Sequence, residues 1–77
     1  MNDFRRKRLD YLKDKLADIC DEIEIIREEE ENAFDNLPES LQDSERGEAI
    51  QDAVYQLEEI SDNLQQIIED ITTLATM

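Results

Sequence analysis

The sequence predicts an all-α fold: two long helices folded back on each other as an antiparallel, coiled-coil-like hairpin, which assembles further into a four-helix bundle or a larger helical oligomer. Three observations lead there. Apolar residues recur in both halves at steps alternating three and four. The one proline and the one glycine, Pro38 and Gly47, both fall near the middle of the chain. The composition, rich in Glu, Asp, Leu, Ile and Gln, suits helix rather than sheet.

The first helix is expected from about residue 3 to about residue 35. Leu9, Leu12, Leu16, Ile19, Ile23 and Ile26 form a heptad seam with Leu9 at a and Leu12 at d, continuing through Glu30, Ala33 and Leu37. At 1.5 Å per residue such a helix is on the order of 50 Å long. The turn, about residues 36–44, contains Pro38, which is tolerated in a first helical turn, so residues 37–42 are expected to form one short turn with Leu37 and Leu41 plugging the hairpin tip. Ser44 has the character of an N-cap for the second helix, and Asp43, Glu45 and Glu48 suit the positive end of its dipole. Gly47, in that first turn, is expected to admit a close neighbour such as Phe34. A connection this short makes the helices antiparallel.

The second helix, about residues 45–75, carries Ile50, Val54, Leu57, Ser61, Leu64, Ile68, Ile71 and Ala75 at a and d. Position g is also apolar, at Ala53, Ile60, Ile67 and Leu74. A stripe three positions wide exceeds what one neighbouring helix covers. It predicts self-association, most simply as a dimer, with Ile60, Leu64, Ile67, Ile71 and Leu74 in the oligomer interface.

Seventy-seven residues make one domain, 1–77, with a marginal core. Chains of this size need a staple. One cysteine, Cys20, gives no intramolecular disulfide and suits a reducing compartment, and the absence of histidine leaves no ordinary zinc site, so oligomerisation or very regular packing is the expected remedy. No apolar run reaches the roughly 20 residues of a membrane span, and no apolar signal-peptide core is present near the N-terminus. The expected location is the cytoplasm, away from membranes.

The net charge of −14 is unevenly placed. Residues 1–15 hold six bases against three acids, net +3, whereas residues 16–77 hold two bases against 19 acids, net −17. Such a body repels duplex nucleic acid and anionic membrane and attracts basic surfaces. The first helix also has charges of the wrong sign at both ends for its dipole. Its basic N-terminus is expected to be offset by Glu69 and Asp70 of the antiparallel neighbour, whereas nothing obvious offsets the acids Glu28 to Glu31 near its C-terminus.

Catalysis is not expected. The chain lacks histidine, a glycine-rich phosphate loop, a nucleophile elbow and a cysteine with a base at useful spacing. No cofactor or metal is implied, because calcium loops need ligands at alternate positions around a glycine and di-iron bundles need Glu-x-x-His. Candidate binding residues are therefore of two kinds. Glu28, Glu29, Glu30, Glu31, Glu58, Glu59 and Asp62 are candidates for contacting a basic protein, and Arg5, Arg6, Lys7 and Arg8 for gripping an anion, unless those bases only pair with acids within the assembly. Phe4, Tyr11, Ile25 and Tyr55 fall off the seam, at b and c positions, and suggest a second surface or simple exposure.

The stretch Ala33-Phe34-Asp35-Asn36-Leu37-Pro38-Glu39-Ser40-Leu41-Gln42-Asp43-Ser44-Glu45-Arg46-Gly47-Glu48-Ala49-Ile50 resembles short acidic proteins of unknown function from phages and mobile elements of Gram-positive bacteria. The resemblance covers the turn and flanking helix ends and carries over no active-site residue. It implies a setting in which small acidic proteins act as stoichiometric inhibitors of host defence proteins, here in the host cytoplasm and through a carboxylate surface that mimics nucleic acid. The competing expectations are a homo-oligomeric assembly module and an oligomer that sequesters a small anionic nucleotide with its basic ends.

Overall fold

The computed structural model describes all 77 residues. Its first helix begins where Asn2, in extended conformation, accepts the Arg5 backbone N–H on its side-chain oxygen at 2.9 Å. That contact satisfies one of the free donors of a first turn. Helix α1 then runs Asp3–Asp35 without a glycine or proline. It stops ahead of Pro38, whose ring disfavours a helical conformation at the preceding residue. Asn36 N–H still bonds to Asn32 O, and Leu37 N–H to Phe34 O. The Gln42 side chain reaches back to donate to Leu37 O at 3.2 Å and, more weakly, to Phe34 O at 3.5 Å, so the last carbonyls of α1 are capped from across the turn.

Helix α2, Glu39–Gln42, is one turn opened by Pro38. Leu37 is half-buried, but Leu41 remains largely exposed, so only one of the two leucines expected to plug the tip does so. Ser44 caps helix α3, Glu45–Ala75, by accepting from Gly47 N–H, while its hydroxyl donates to Leu41 O. Gly47 is buried, and the neighbour that requires it is not Phe34. A Cβ at Gly47 would lie 2.8 Å from Leu41 O and closer still to the Gln42 carbonyl, so it is the backbone of α2 that needs the space.

α1 and α3 pack antiparallel along their whole length, giving a rod whose Cα extents are 59 × 14 × 12 Å. At the open end an Arg6 guanidinium nitrogen donates to the Met77 carbonyl at 2.7 Å. At mid-rod two small side chains meet. Ser61 is only 1% exposed, its Oγ lies 3.4 Å from Cys20 Sγ, and Cys20 is itself buried. Small groups at the crossing let the backbones come close, and the hydroxyl finds a partner inside the seam.

This crossing corrects the seam expected for the first helix. The residues of α1 that turn inward are Leu9, Lys13, Leu16, Ala17, Cys20, Ile23, Arg27 and Phe34, which are positions a and e with part of b. Leu12, Ile19 and Ile26, at d, are about half exposed. The cause lies at mid-rod in α3, where Ser61 at a presents a shallow surface that Cys20 fits and a leucine–isoleucine ridge does not, although Ile68 at the next a position is large. On α3 the a and d residues do line the contact, as expected, from Ile50 through Ala75.

The electrostatic expectations also need correction. All four ion pairs lie within α1, joining Arg6 to Asp3, Lys13 to Asp10, and Arg27 to both Glu24 and Glu31. None reaches Glu69 or Asp70. The acidic end of α1 is partly offset after all, by Arg27, whose side chain lies largely covered between its two carboxylates. No helix is long and apolar enough to cross a membrane.

Candidate functional site

Rotating the α1 seam onto a and e separates the two broad faces of the rod by chemistry. On one face α1 presents d and α3 presents g: Leu12, Ile19 and Ile26 in one row, Ile60, Ile67 and Leu74 in the other. All six are between 43% and 49% exposed. Leu12 and Leu74 line one shallow groove with Leu9, Arg5 and Arg8, which shows that the two rows share a side. Of the residues expected in an interface, Ile60, Ile67 and Leu74 stand on this surface, whereas Leu64 and Ile71 are half-buried against α1. Leu12, Ile19 and Ile26 join them there, having been assigned from the sequence to the intramolecular seam.

The opposite face is acidic. The f and b positions of α1 bring Asp3, Asp10, Asp14, Asp21, Glu24, Glu28, Glu31 and Asp35 to it, with Lys7, and the b and e positions of α3 bring Glu48, Glu58, Asp62 and Glu69. Of these twelve acids Asp3, Asp10, Glu24 and Glu31 pair with Arg6, Lys13 and Arg27 at the edge of the seam, and the other eight carry no ion pair. Glu28, Glu31, Glu58 and Asp62 of the acids singled out in the sequence share this face. Glu29, at g of α1, and Glu59, at f of α3, lie away from it, and Glu30, at a, is half-buried.

Near the turn the acidic face dips into an open groove of about 370 Å³. Its floor is Phe34, Val54 and Tyr55, and its rim is Glu31, Asp35 and Glu58, with Gln51. Aromatic faces and carboxylates together suit a cationic side chain: the ring quadrupole attracts the cation and the rim pairs with it. Phe34, Asp35 and Tyr55 were not grouped in the sequence, because Phe34 sits at e of α1 and Tyr55 at b of α3, two positions that meet only once the register across the hairpin is known.

Behind this groove Glu24, Arg27 and Glu31 form a ladder along α1. Arg27 Nη1 lies 2.8 Å from Glu31 and Nη2 lies 3.1 Å from Glu24. The neighbouring Ser61 hydroxyl and then the Arg27 guanidinium hold the Glu24 carboxyl below the ordinary glutamate range, and Glu31 and then Glu24 push Arg27 up. The charge on Glu24 therefore supports the fold above the ordinary glutamate pKa, and that support is lost as pH falls through the lowered value. Thermal melts between pH 6 and pH 3 should show a smaller acid-side loss in Glu24→Gln than in the parent. An identical pH profile would mean that this carboxylate is not coupled to folding.

The four N-terminal bases do not converge. Arg6 is held by Asp3 and Met77, Arg8 lies over the Phe4 ring at 5.5 Å, and Arg5 and Lys7 fall on opposite faces of the helix. Lys15 covers Tyr11 in the same manner at 4.7 Å. No group of three or more thiol and carboxylate side chains is arranged to hold a metal ion. Comparison of the chain with family models, curated proteins and solved structures returns no match.

Proposed function

We propose that the chain is a non-enzymatic binding module that captures a basic protein surface on its acidic face, the groove between Glu31, Asp35 and Glu58 receiving one cationic side chain of the partner. The observation that carries this reading is the gathering of twelve carboxylates on one side of the rod, of which eight carry no ion pair and only Asp3, Asp10, Glu24 and Glu31 are paired, with Arg6, Lys13 and Arg27. Like charges so gathered repel one another, and a basic partner relieves that repulsion on binding. Rows of carboxylates on a rod also offer a basic surface the charge it meets on nucleic acid. In the phage or mobile-element setting implied by residues 33–50, such a partner is a host defence protein whose nucleic-acid site is occluded.

Isothermal titration with an arginine-rich decapeptide tests the recognition. Raising salt from about 0.05 to 0.5 M shortens the Debye length about threefold and should weaken binding steeply. The paired change Glu31→Lys with Glu58→Lys should weaken it far more than Glu39→Lys with Asp43→Lys, which alters net charge equally at the tip. Equal effects of the two pairs would reduce the interaction to bulk charge and remove the groove from it.

A further inference from the structure

The apolar face has nothing to cover it within the chain, and its charged surroundings say what does. We infer that this face packs against a second copy of the chain, rod on rod and running in opposite directions, so that the open end of each copy lies over the turn of the other. The inference concerns the side opposite the acidic face and stands independently of that face's partner.

The area comes first. A folded monomer of 9.1 kDa exposes about 4,900 Å² by the usual scaling. This chain exposes 5851 Å², an excess of roughly 1,000 Å², comparable with the ~800 Å² each partner gives to a stable interface. The six aliphatic side chains in two parallel rows, each 43% to 49% exposed, supply an apolar centre for such an interface, and stacking two such faces makes four helices around one core.

Charge then selects the direction. Cutting the rod at the Cys20–Ser61 crossing, residues 20–61 on the turn side hold 15 acids and two bases, net −13, while residues 1–19 and 62–77 hold seven acids and six bases, net −1. Copies running the same way set −13 beside −13. Copies running opposite ways set −13 beside −1, with the basic cluster over the acidic turn.

The rim residues agree in detail. An antiparallel dimer lays α1 on the second copy's α1, with Ile19 near the two-fold axis and Leu12 facing Ile26. In that register the g positions of α1, which flank the apolar row, face one another in pairs. Those positions are Arg8, Lys15, Glu22 and Glu29. Arg8 then meets Glu29 and Lys15 meets Glu22, each twice by symmetry. On α3 the same axis sets Ile60 against Ile67, with the uncharged Asn63 against its own counterpart. A parallel dimer stacks α1 on α3 instead, where the flanking c positions are Ala49, Gln56, Asn63 and Asp70; Asp70 offers one acid to the α1 bases, but Glu22 and Glu29 have no base to pair with. An unrelated apolar partner explains neither the two-base, two-acid order nor its symmetry. The antiparallel dimer also turns the two acidic faces outward on opposite sides.

A nitroxide at Ser40→Cys, at the exposed tip, on a Cys20→Ala background, reads the direction by pulsed dipolar spectroscopy. Opposite running puts the two tips at the two ends of a rod 59 Å long, and a label separation of about 50–60 Å is expected. A separation under about 30 Å would establish the parallel dimer, and a 9.1 kDa species with no dipolar signal would show that no second copy binds. A second experiment leaves Cys20 and the apolar rows intact. Arg8→Glu with Lys15→Glu in one chain, and Glu22→Lys with Glu29→Lys in another, should each weaken self-association by about tenfold or more. Mixing the two should restore a one-to-one heterodimer in native mass spectrometry. Wild-type self-association of either variant alone, or no heterodimer on mixing, would overturn the pairing.

Discussion

Ile67→Asp should turn a helical dimer into a chain that has lost most of its helical circular dichroism at micromolar concentration. Ile67 stands in the centre of the α3 row, 46% exposed in the single hairpin. In the inferred assembly it is covered by Ile60 of the second copy, and each such side chain contributes about 1.5–3 kcal/mol of burial. Two are lost per dimer, and each carboxylate put in their place must shed water in an apolar interface, at a further cost of a few kcal/mol. A single hairpin has little to fall back on. Only Cys20, Gly47, Val54 and Ser61 are buried in it, and small domains are stable by only about 5–15 kcal/mol in total. Folding and association are then one equilibrium, so the mutation should remove both, and helicity should rise again with protein concentration. Tyr55→Asp, on the acidic face, should leave the dimer intact while harming the groove. A helical Ile67→Asp species of about 18 kDa, twice the 9.1 kDa of one chain, would show that this face is not the contact surface.

The all-α class and the packing of two long helices were legible in the sequence because periodicity, caps and punctuation agreed: a period near 3.5 in both halves, Ser44 before an acidic first turn, and Pro38 and Gly47 confined to the bend. The rotation of α1 was not. Leu12, Ile19 and Ile26 make the most regular aliphatic row with Leu9, Leu16 and Ile23, and a heptad reading gives the whole row to the nearest partner. What overrode it was shape. Ser61 at a core position of α3 leaves no depth for a large side chain at mid-rod, and Cys20 on α1 is the complementary small residue; pairing small with small across the two helices was the signal available. Long side chains then fill the edges of the seam, Lys13 and Arg27 laying their stems along it while their charged ends reach Asp10, Glu24 and Glu31. The acidic face was half legible, since charge asymmetry is a property of composition, but which carboxylates share a side depends on that same rotation. The groove depends on the register between α1 and α3, which heptads alone leave free by whole turns.

Ser61→Leu separates the close-packed crossing from an ordinary heptad seam by the sign of its effect. A serine at a in a two-helix seam of normal spacing is a weak point, and leucine there should stabilise by adding buried apolar area, about 25 cal/mol for each Å². Here the opposite is expected. Ser61 is 1% exposed with Cys20 Sγ 3.4 Å from its hydroxyl, so a leucine has no volume to occupy unless the helices part at mid-rod. Overpacking of this kind costs about 1–3 kcal/mol, and in a chain of this size each kcal/mol moves Tm by about 4–8 °C. Ser61→Leu should therefore lower Tm by roughly 5–20 °C, a change easily read by circular dichroism at fixed protein concentration. Parting the helices also rotates the rows that flank the seam, so dimer affinity should fall with Tm. Adding Cys20→Ala removes the sulfur from the crossing and should recover part of the loss, giving a favourable coupling of about 0.5 kcal/mol or more in the double-mutant cycle. A rise in Tm for Ser61→Leu alone would place the helices farther apart than this crossing allows and return Leu12, Ile19 and Ile26 to the intramolecular seam.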